Sequence, residues 1–133
     1  MNREIKFRVW DATDKEYNYD IVVGNILSAI HGSGDPLSEE EEEQFTLQQY
    51  TGLKDRYEKE IYEGDIVKII YDEAVAEVYF DFNLGAFRLK DNSSKSYPIT
   101  TYRFDESNKP IGLISVVDEV VGNVMENPEL LKA

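Results

Sequence analysis

Cysteine is absent from the chain, and that one absence removes disulfides, thiolate nucleophiles and cysteine-based metal sites together. Histidine is scarce as well. His31 stands alone beside Gly32-Ser33-Gly34, too few for a histidine-rich metal site. It has no Ser or Asp partner pattern for general-base work, so it reads as a solvent-facing histidine. Clusters of Lys and Arg are missing, which disfavours direct nucleic-acid binding by phosphate neutralisation. No apolar run approaches the roughly 20 residues that span a bilayer. The opening MNREIKFRVW places charges and then alternation where a signal peptide has an unbroken apolar stretch. These absences predict a cytoplasmic protein held by packing alone, with no metal, no cofactor and no membrane contact.

What is present is acid and aromatic. The 133 residues carry 27 Asp and Glu against 14 Lys and Arg, a formal charge of −13. Such a balance speaks first to solubility and repulsion. Nine Tyr and six Phe give enough apolar volume for a real core. The length suits one domain over 1–133, divisible into an N-terminal β lobe (1–54) and a barrel-like lobe (55–133), with 32–44 a flexible acidic loop.

Periodicity along the chain is that of strands. Ile5, Phe7 and Val9 alternate with Lys6 and Arg8, a strand with one polar face; Trp10 falls on the polar side. Asp11 to Lys15 supplies turn chemistry, and Tyr17, Tyr19, Ile21 and Val23 return along the first strand. Ser38 with Glu41 matches a capping box, yet no apolar stripe follows, so a solvated loop is expected over the glutamate run. Gly64 and Asp65 form a turn, Gly with a backbone closed to other residues and Asp as its cap. Ala74, Ala76, Val78, Phe80 and Phe82 share a face, Asn83-Leu84-Gly85 signals a hairpin, and Phe87 and Leu89 return. Pro98 marks an edge strand or a strand start. Asn127 and Pro128 begin a short helix, Asn as the cap and Pro in the first position. No internal repeat is apparent. The expected fold is mainly β with minor helix: a small open or SH3-like barrel or sandwich in the C-terminal part beside an N-terminal β lobe.

Three stretches carry a resemblance: REIKFRVWD (Arg3 to Asp11), YTGLKD followed by KEIYEGDIVKI (Tyr50 to Ile69), and VVGNVMENPELL (Val120 to Leu131). In that order they are similar to the YopX family, small proteins encoded by phages and prophages of Gram-positive bacteria. The resemblance implies an origin and a fold, and carries no established activity. One position departs from the pattern. Arg56-Tyr57-Glu58 stands where family members often have an Asn-Gly turn, which predicts a longer or type I turn here.

Chemistry-bearing motifs are few. Consecutive residues of Glu39–Glu43 point in different directions and lack the spaced ligands of a calcium loop; a solvated charge run is the reading. Asp65, Asp72 and Asp81 are spaced irregularly, and the context of Asp65 is turn-forming. No P-loop, dinucleotide fingerprint, nucleophile elbow or zincin motif occurs, and Gly32-Ser33-Gly34 has no apolar helix behind it to act as a phosphate nest. Alternation assigns Tyr17, Tyr19, Phe80, Phe82 and Phe87 to the core. Trp10, Tyr50, Tyr57 and Tyr62 are the aromatics whose exposure would mark an interface.

No residue is therefore assigned a catalytic, cofactor or metal role. The expectation is a non-catalytic interaction module with a host or phage protein as partner. Three readings stay open beside it: an acidic mimic on a nucleic-acid-binding protein, a ligand binder or enzyme whose carboxylate and tyrosine site is assembled from distant residues, and a homo-oligomeric component pairing exposed β edges.

Overall fold

A computed structural model describes residues 4–21, 38–70 and 74–132. The chain divides into two compact units, Met1–Gly52 and Leu53–Ala133.

In the first unit β1 (Phe7–Asp11) lies between β2 (Glu16–Ile21) and β3 (Phe45–Lys54), antiparallel to both. Val9 and Ile21 are buried on one side. The polar side expected to face water is also covered: Arg8, Gln48 and Tyr50 are all buried. Arg8 is accommodated because its Nε donates to Gln48 Oε1 at 2.8 Å and its guanidinium lies 4.2 Å from the Tyr17 ring centroid. Alternation reports which residues share a face and not whether that face is covered.

The glutamate run is a helix, α1 (Glu39–Gln44), where a loop was expected. The capping box decides it: Ser38 Oγ accepts from Glu41 N–H at 3.2 Å, and Glu41 Oε1 accepts from Ser38 N–H at 3.0 Å. Four glutamates in the first turn suit the positive end of the helix dipole. No α1 residue is buried; its last residue is tied to the first hairpin, Ala12 N–H donating to the Gln44 carbonyl at 2.9 Å and Gln44 Nε2 to Asp11 Oδ1 at 3.1 Å. Residues 32–37 lie outside those described.

The second unit holds β4 (Glu60–Tyr62), β5 (Asp65–Ile69), β6 (Val75–Asp81), β7 (Ala86–Asp91), β8 (Ser96–Pro98), β9 (Thr100–Phe104), β10 (Pro110–Ser115), β11 (Val117–Asn123) and a 3₁₀ turn, η1 (Pro128–Leu131). Five strands make an antiparallel sheet ordered β11-β5-β6-β7-β8, curled as a half barrel. Pro98 ends the edge strand β8, where its missing N–H breaks no ladder. Ile61, Val67, Ala76, Val78, Leu89, Ile99, Val116, Val117 and Val120 form one buried cluster. Each large aliphatic side chain there contributes roughly 1.5–3 kcal/mol.

The expected face of β6 is only half right. Ala76 and Val78 are buried, whereas Phe82 is 89% exposed because it has passed into the turn, packed edge-on to Phe80 at 5.2 Å. Asn127 precedes η1 as expected, but its side chain does not cap it. Its Oδ1 accepts from Asn123 N–H at 3.3 Å instead, and that strand end is so close that a Cβ on Gly122 would lie 2.7 Å from the same oxygen.

A repeated turn holds the strands. In Asp55–Lys59, Asp91–Lys95 and Asp105–Lys109 the Asp N–H donates to the Lys carbonyl at 2.8, 3.0 and 3.0 Å. Each Asp Oδ1 accepts from the residue two ahead and from the Lys N–H, at 2.8–3.0 Å. The fourth residue is left-handed in each: Glu58 at φ 66°, Ser94 at 66° and Asn108 at 63°. This is a type I turn followed by a left-handed residue, the usual three-residue hairpin loop. The loop at Arg56-Tyr57-Glu58 is thus longer than two residues, as expected. Asp11 pairs with Glu16 and Asp81 with Ala86, so their loops hold four residues, the last of them left-handed (Lys15 and Gly85), again with two N–H groups on Oδ1. The D-x-x-x-K pattern was legible and was missed, because it recurs in turns of unlike neighbourhood and not as a repeat of whole elements.

Asp55 does more than turn the chain. Its Oδ2 accepts from Val120 N–H at 3.0 Å, 65 residues away, inside the core. Burial opposes the charge, but donation from Val120, Lys59 and Tyr57 and the charge of Lys59 outweigh it, and the carboxyl is held below the ordinary value. In Asp55→Asn one acceptor becomes an N–H donor facing an N–H, which should cost about 2 kcal/mol; denaturant unfolding would measure it, and an unchanged midpoint would refute the assignment.

Asp91 is held at about 2, chiefly by the Ser93 hydroxyl, against partial burial, with help from Tyr97 Oη–H and the Lys95 and Ser93 N–H groups. Gln44 does the same for Asp11, against burial, together with the Asp14 and Thr13 N–H groups. These groups bind fewer protons folded than unfolded. Their stabilisation is complete above the ordinary carboxylate value near 3.8 and is lost as pH falls toward the folded value, about 2 for Asp91. Acid unfolding should therefore steepen between pH 4 and 2, and Asp91→Asn should flatten that slope; equal slopes in both proteins would contradict the account.

Candidate functional site: an exposed apolar arm

Among the described residues strands β9 and β10 pair only with each other, as a two-stranded sheet. Their register sets Pro110 against Phe104, Leu113 against Tyr102, Ile114 against Thr101 and Ser115 against Thr100, with an irregularity between Pro110 and Gly112. Gly112, at φ 149°, meets the left-handed demand of that bulge. The turn at the tip is the Asp105–Lys109 loop, whose carboxylate anchors the strands' register.

The arm carries large apolar side chains without covering them. Tyr102 is 58% exposed, Phe104 53%, Ile111 57% and Leu113 62%. Tyr102 lies opposite Leu113, and its ring centroid is 6.5 Å from that of Phe104. A two-stranded hairpin is marginal in water without packing. Contiguous apolar surface of this kind marks interaction sites. Charges on the arm cancel: Arg103 and Lys109 balance Asp105 and Glu106, so the formal −13 lies wholly outside Thr100–Ser115. Another exposed apolar tip, Phe82 and Leu84 between β6 and β7, offers two side chains.

The residues singled out in sequence do not converge here. His31, Gly32-Ser33-Gly34 and Asp72 lie outside the described residues. Asp65 is buried and its Oδ2 accepts from Tyr62 N–H at 2.8 Å across the turn at Gly64, whose φ is 87°. Asp81 and the other hairpin aspartates likewise serve backbone N–H groups. Among the described residues no three His, Asp or Glu side chains assemble as a metal-holding group. Of the four aromatics tied to an interface, Tyr57 alone is exposed; Trp10 is half-buried, 5.0 Å from the Tyr17 ring, and Tyr50 and Tyr62 are buried. Tyr19, assigned to the core, is about half exposed. Tyr17 Oη donates to Gln48 Oε1 at 3.1 Å, so the first unit's aromatic and cationic side chains form a filled polar layer.

The family model of the YopX protein matches residues 6–132. The chain belongs to the YopX family. Comparison with curated proteins finds no match. Among solved structures, this YopX-family chain is similar to the crystal structure of protein EF1440 from Enterococcus faecalis: 24% identity, TM-score 0.58, covering 98% of this chain and 100% of that one. At that identity the likeness speaks to fold alone. No described helix is long and apolar enough to cross a membrane.

The family segments acquire physical reasons. YEGD is the turn closed by Asp65, KD contributes the Asp55 carboxylate, and GNVMEN is a tight strand end. In it Asn123 Oδ1 accepts from Met125 and Glu126 N–H at 3.1 and 2.8 Å. The arm's apolar residues belong to none of these turns. Tyr102→Glu and Leu113→Glu should each leave stability within about 0.5 kcal/mol of wild type, as expected of surface positions; a loss of several kcal/mol in thermal unfolding would make the arm part of a core instead.

Proposed function

We propose that this YopX-family protein is a non-catalytic interaction module of phage or prophage origin, acting in the bacterial cytoplasm, and that the β9–β10 arm is its contact surface. The observation that carries this reading is the exposure of Tyr102, Phe104, Ile111 and Leu113 on a hairpin that has no strand neighbour among the described residues. Aromatic residues exposed on a locally neutral surface suit the centre of an interface, where charge is depleted. The hairpin aspartates support the same reading from the other side. They are turn devices held by backbone N–H groups, and their geometry does not resemble a pair of carboxylates set for acid and base work.

The test is association in either form, with self or with another protein. Tagged wild type, Tyr102→Glu and Leu113→Glu would be compared by capture from bacterial lysate treated with nuclease and by sedimentation of the purified proteins. Association should weaken at least tenfold in both variants, equivalent to about 1.4 kcal/mol. Association unaffected by either change would move the contact surface elsewhere on the protein.

A further inference from the structure

Building on the arm as the contact surface, we infer that its occupant is a second copy of this chain, joined by antiparallel pairing of β9 with β9 of the partner. The two edges of the arm differ. On β10, Pro110 lacks an N–H and the bulge at Gly112 breaks the pleat, two devices that blunt an edge against pairing. On β9 the sequence Thr100-Thr101-Tyr102-Arg103-Phe104 has neither Pro nor Gly, and β-branched and aromatic residues dominate it. Among the described residues its one hydrogen-bonded strand neighbour is β10, and Tyr102, Arg103 and Phe104 are exposed.

Five residues pair with themselves about a two-fold axis through the middle one. Centred on Tyr102, the arrangement places Tyr102 against Tyr102 of the partner subunit, Thr100 against Phe104 of the partner subunit, and Arg103 against Thr101 of the partner subunit. No like charges face each other, and aromatic residues meet aromatic or β-branched ones. The product is a four-stranded sheet, β10-β9 joined to its copy, whose apolar face is doubled. Isologous two-fold contact is the commonest form of protein oligomer.

Charge permits a second copy at the arm. Two molecules at −13 repel wherever their acidic surfaces approach, and the arm is a place where they can meet without facing charge. Beyond a Debye length of about 8 Å the remaining repulsion is screened. A basic partner would be drawn to the acidic surface and would leave the arm unused. Area points the same way. The four exposed side chains offer on the order of 400 Å² of apolar surface per copy, about half the ~800 Å² that each partner buries in a standard interface, and the paired backbone and flanking polar groups supply more.

The chain's lack of cysteine makes a direct test clean. In an antiparallel pair, directly opposed Cα atoms are about 4.5–5.5 Å apart, within reach of a disulfide, and diagonal neighbours are roughly 7–8 Å apart, beyond it. The predicted register opposes position 102 to itself and position 101 to 103. Under mild oxidation Tyr102→Cys should form a disulfide dimer at least tenfold faster than Thr101→Cys, with far-UV circular dichroism confirming that both remain folded. Wild type should sediment as a dimer at high micromolar concentration, and Thr100→Pro, which removes an N–H on the side of β9 away from β10 (Ile99 C=O and Asp105 N–H both bond the β10 side), should shift it to monomer.

Equal cross-linking at both positions, or wild type monomeric at several hundred micromolar, would overturn the pairing. If lysate capture still depended on Leu113 in a monomeric protein, the arm would remain the contact surface with a foreign occupant. If neither association depended on the arm, both readings would fall.

Discussion

The contact on which the second unit most depends is the carboxylate of Asp55. One oxygen closes the loop between β3 and β4 by accepting from Tyr57 and Lys59 N–H, and the other accepts from Val120 N–H in β11. A local turn and a contact 65 residues distant are thereby joined in one buried charged group. Arg56 adds a second tie on the same strand, its N–H to the Asp118 carbonyl at 3.2 Å and its guanidinium to the Asp118 carboxylate at 3.2 Å. The exposed ion pair contributes little, while the buried, thrice-donated carboxylate holds its charge because each donor strengthens the others' case against desolvation.

The same device, without the distant tie, recurs at Asp91 and Asp105 and in longer form at Asp11 and Asp81. It recasts the acidic composition. Several of the 27 acidic residues are structural acceptors for backbone N–H groups at hairpin ends, where a neutral side chain would serve less strongly. A left-handed residue without Gly costs roughly 1–2 kcal/mol, and Glu58, Ser94 and Asn108 sustain it because the Asp carboxylate fixes the backbone on both sides. Turn geometry accounts for where these acids sit.

Against this framework the β9–β10 arm is an exception. Strands β4, β5, β6, β7 and β11 each bury Ile, Val or Leu side chains; the arm presents Ile111 and Leu113 to solvent. Its tip obeys the common turn rule and its strands do not obey the common burial rule. A local rule kept and a global one broken is the pattern expected where a fold carries function. The arm's neutrality within an acidic chain adds to that contrast.

Residue order by itself determined a good deal. Alternation around Val9, Val78 and Leu89 located strands, Asp11 to Lys15 and Asn83-Leu84-Gly85 located hairpin turns, Gly64-Asp65 located a tight turn, and three separated segments located the family. These are short-range properties, set by pleat, by left-handed backbone and by side chains reaching their own N–H groups. Even the helix over Glu39–Gln44 was written in Ser38 and Glu41, though the absence of an apolar stripe argued for a loop. What tertiary structure decided was coverage. Tyr102 and Val78 carry the same alternating signal, yet one strand gains neighbours on its sheet and the other pairs only with β10. Arg8 sits on a polar register and is buried; Phe82 continues an apolar one and is exposed. Period tells which residues share a face, and only the packing of distant strands tells whether that face meets protein or water.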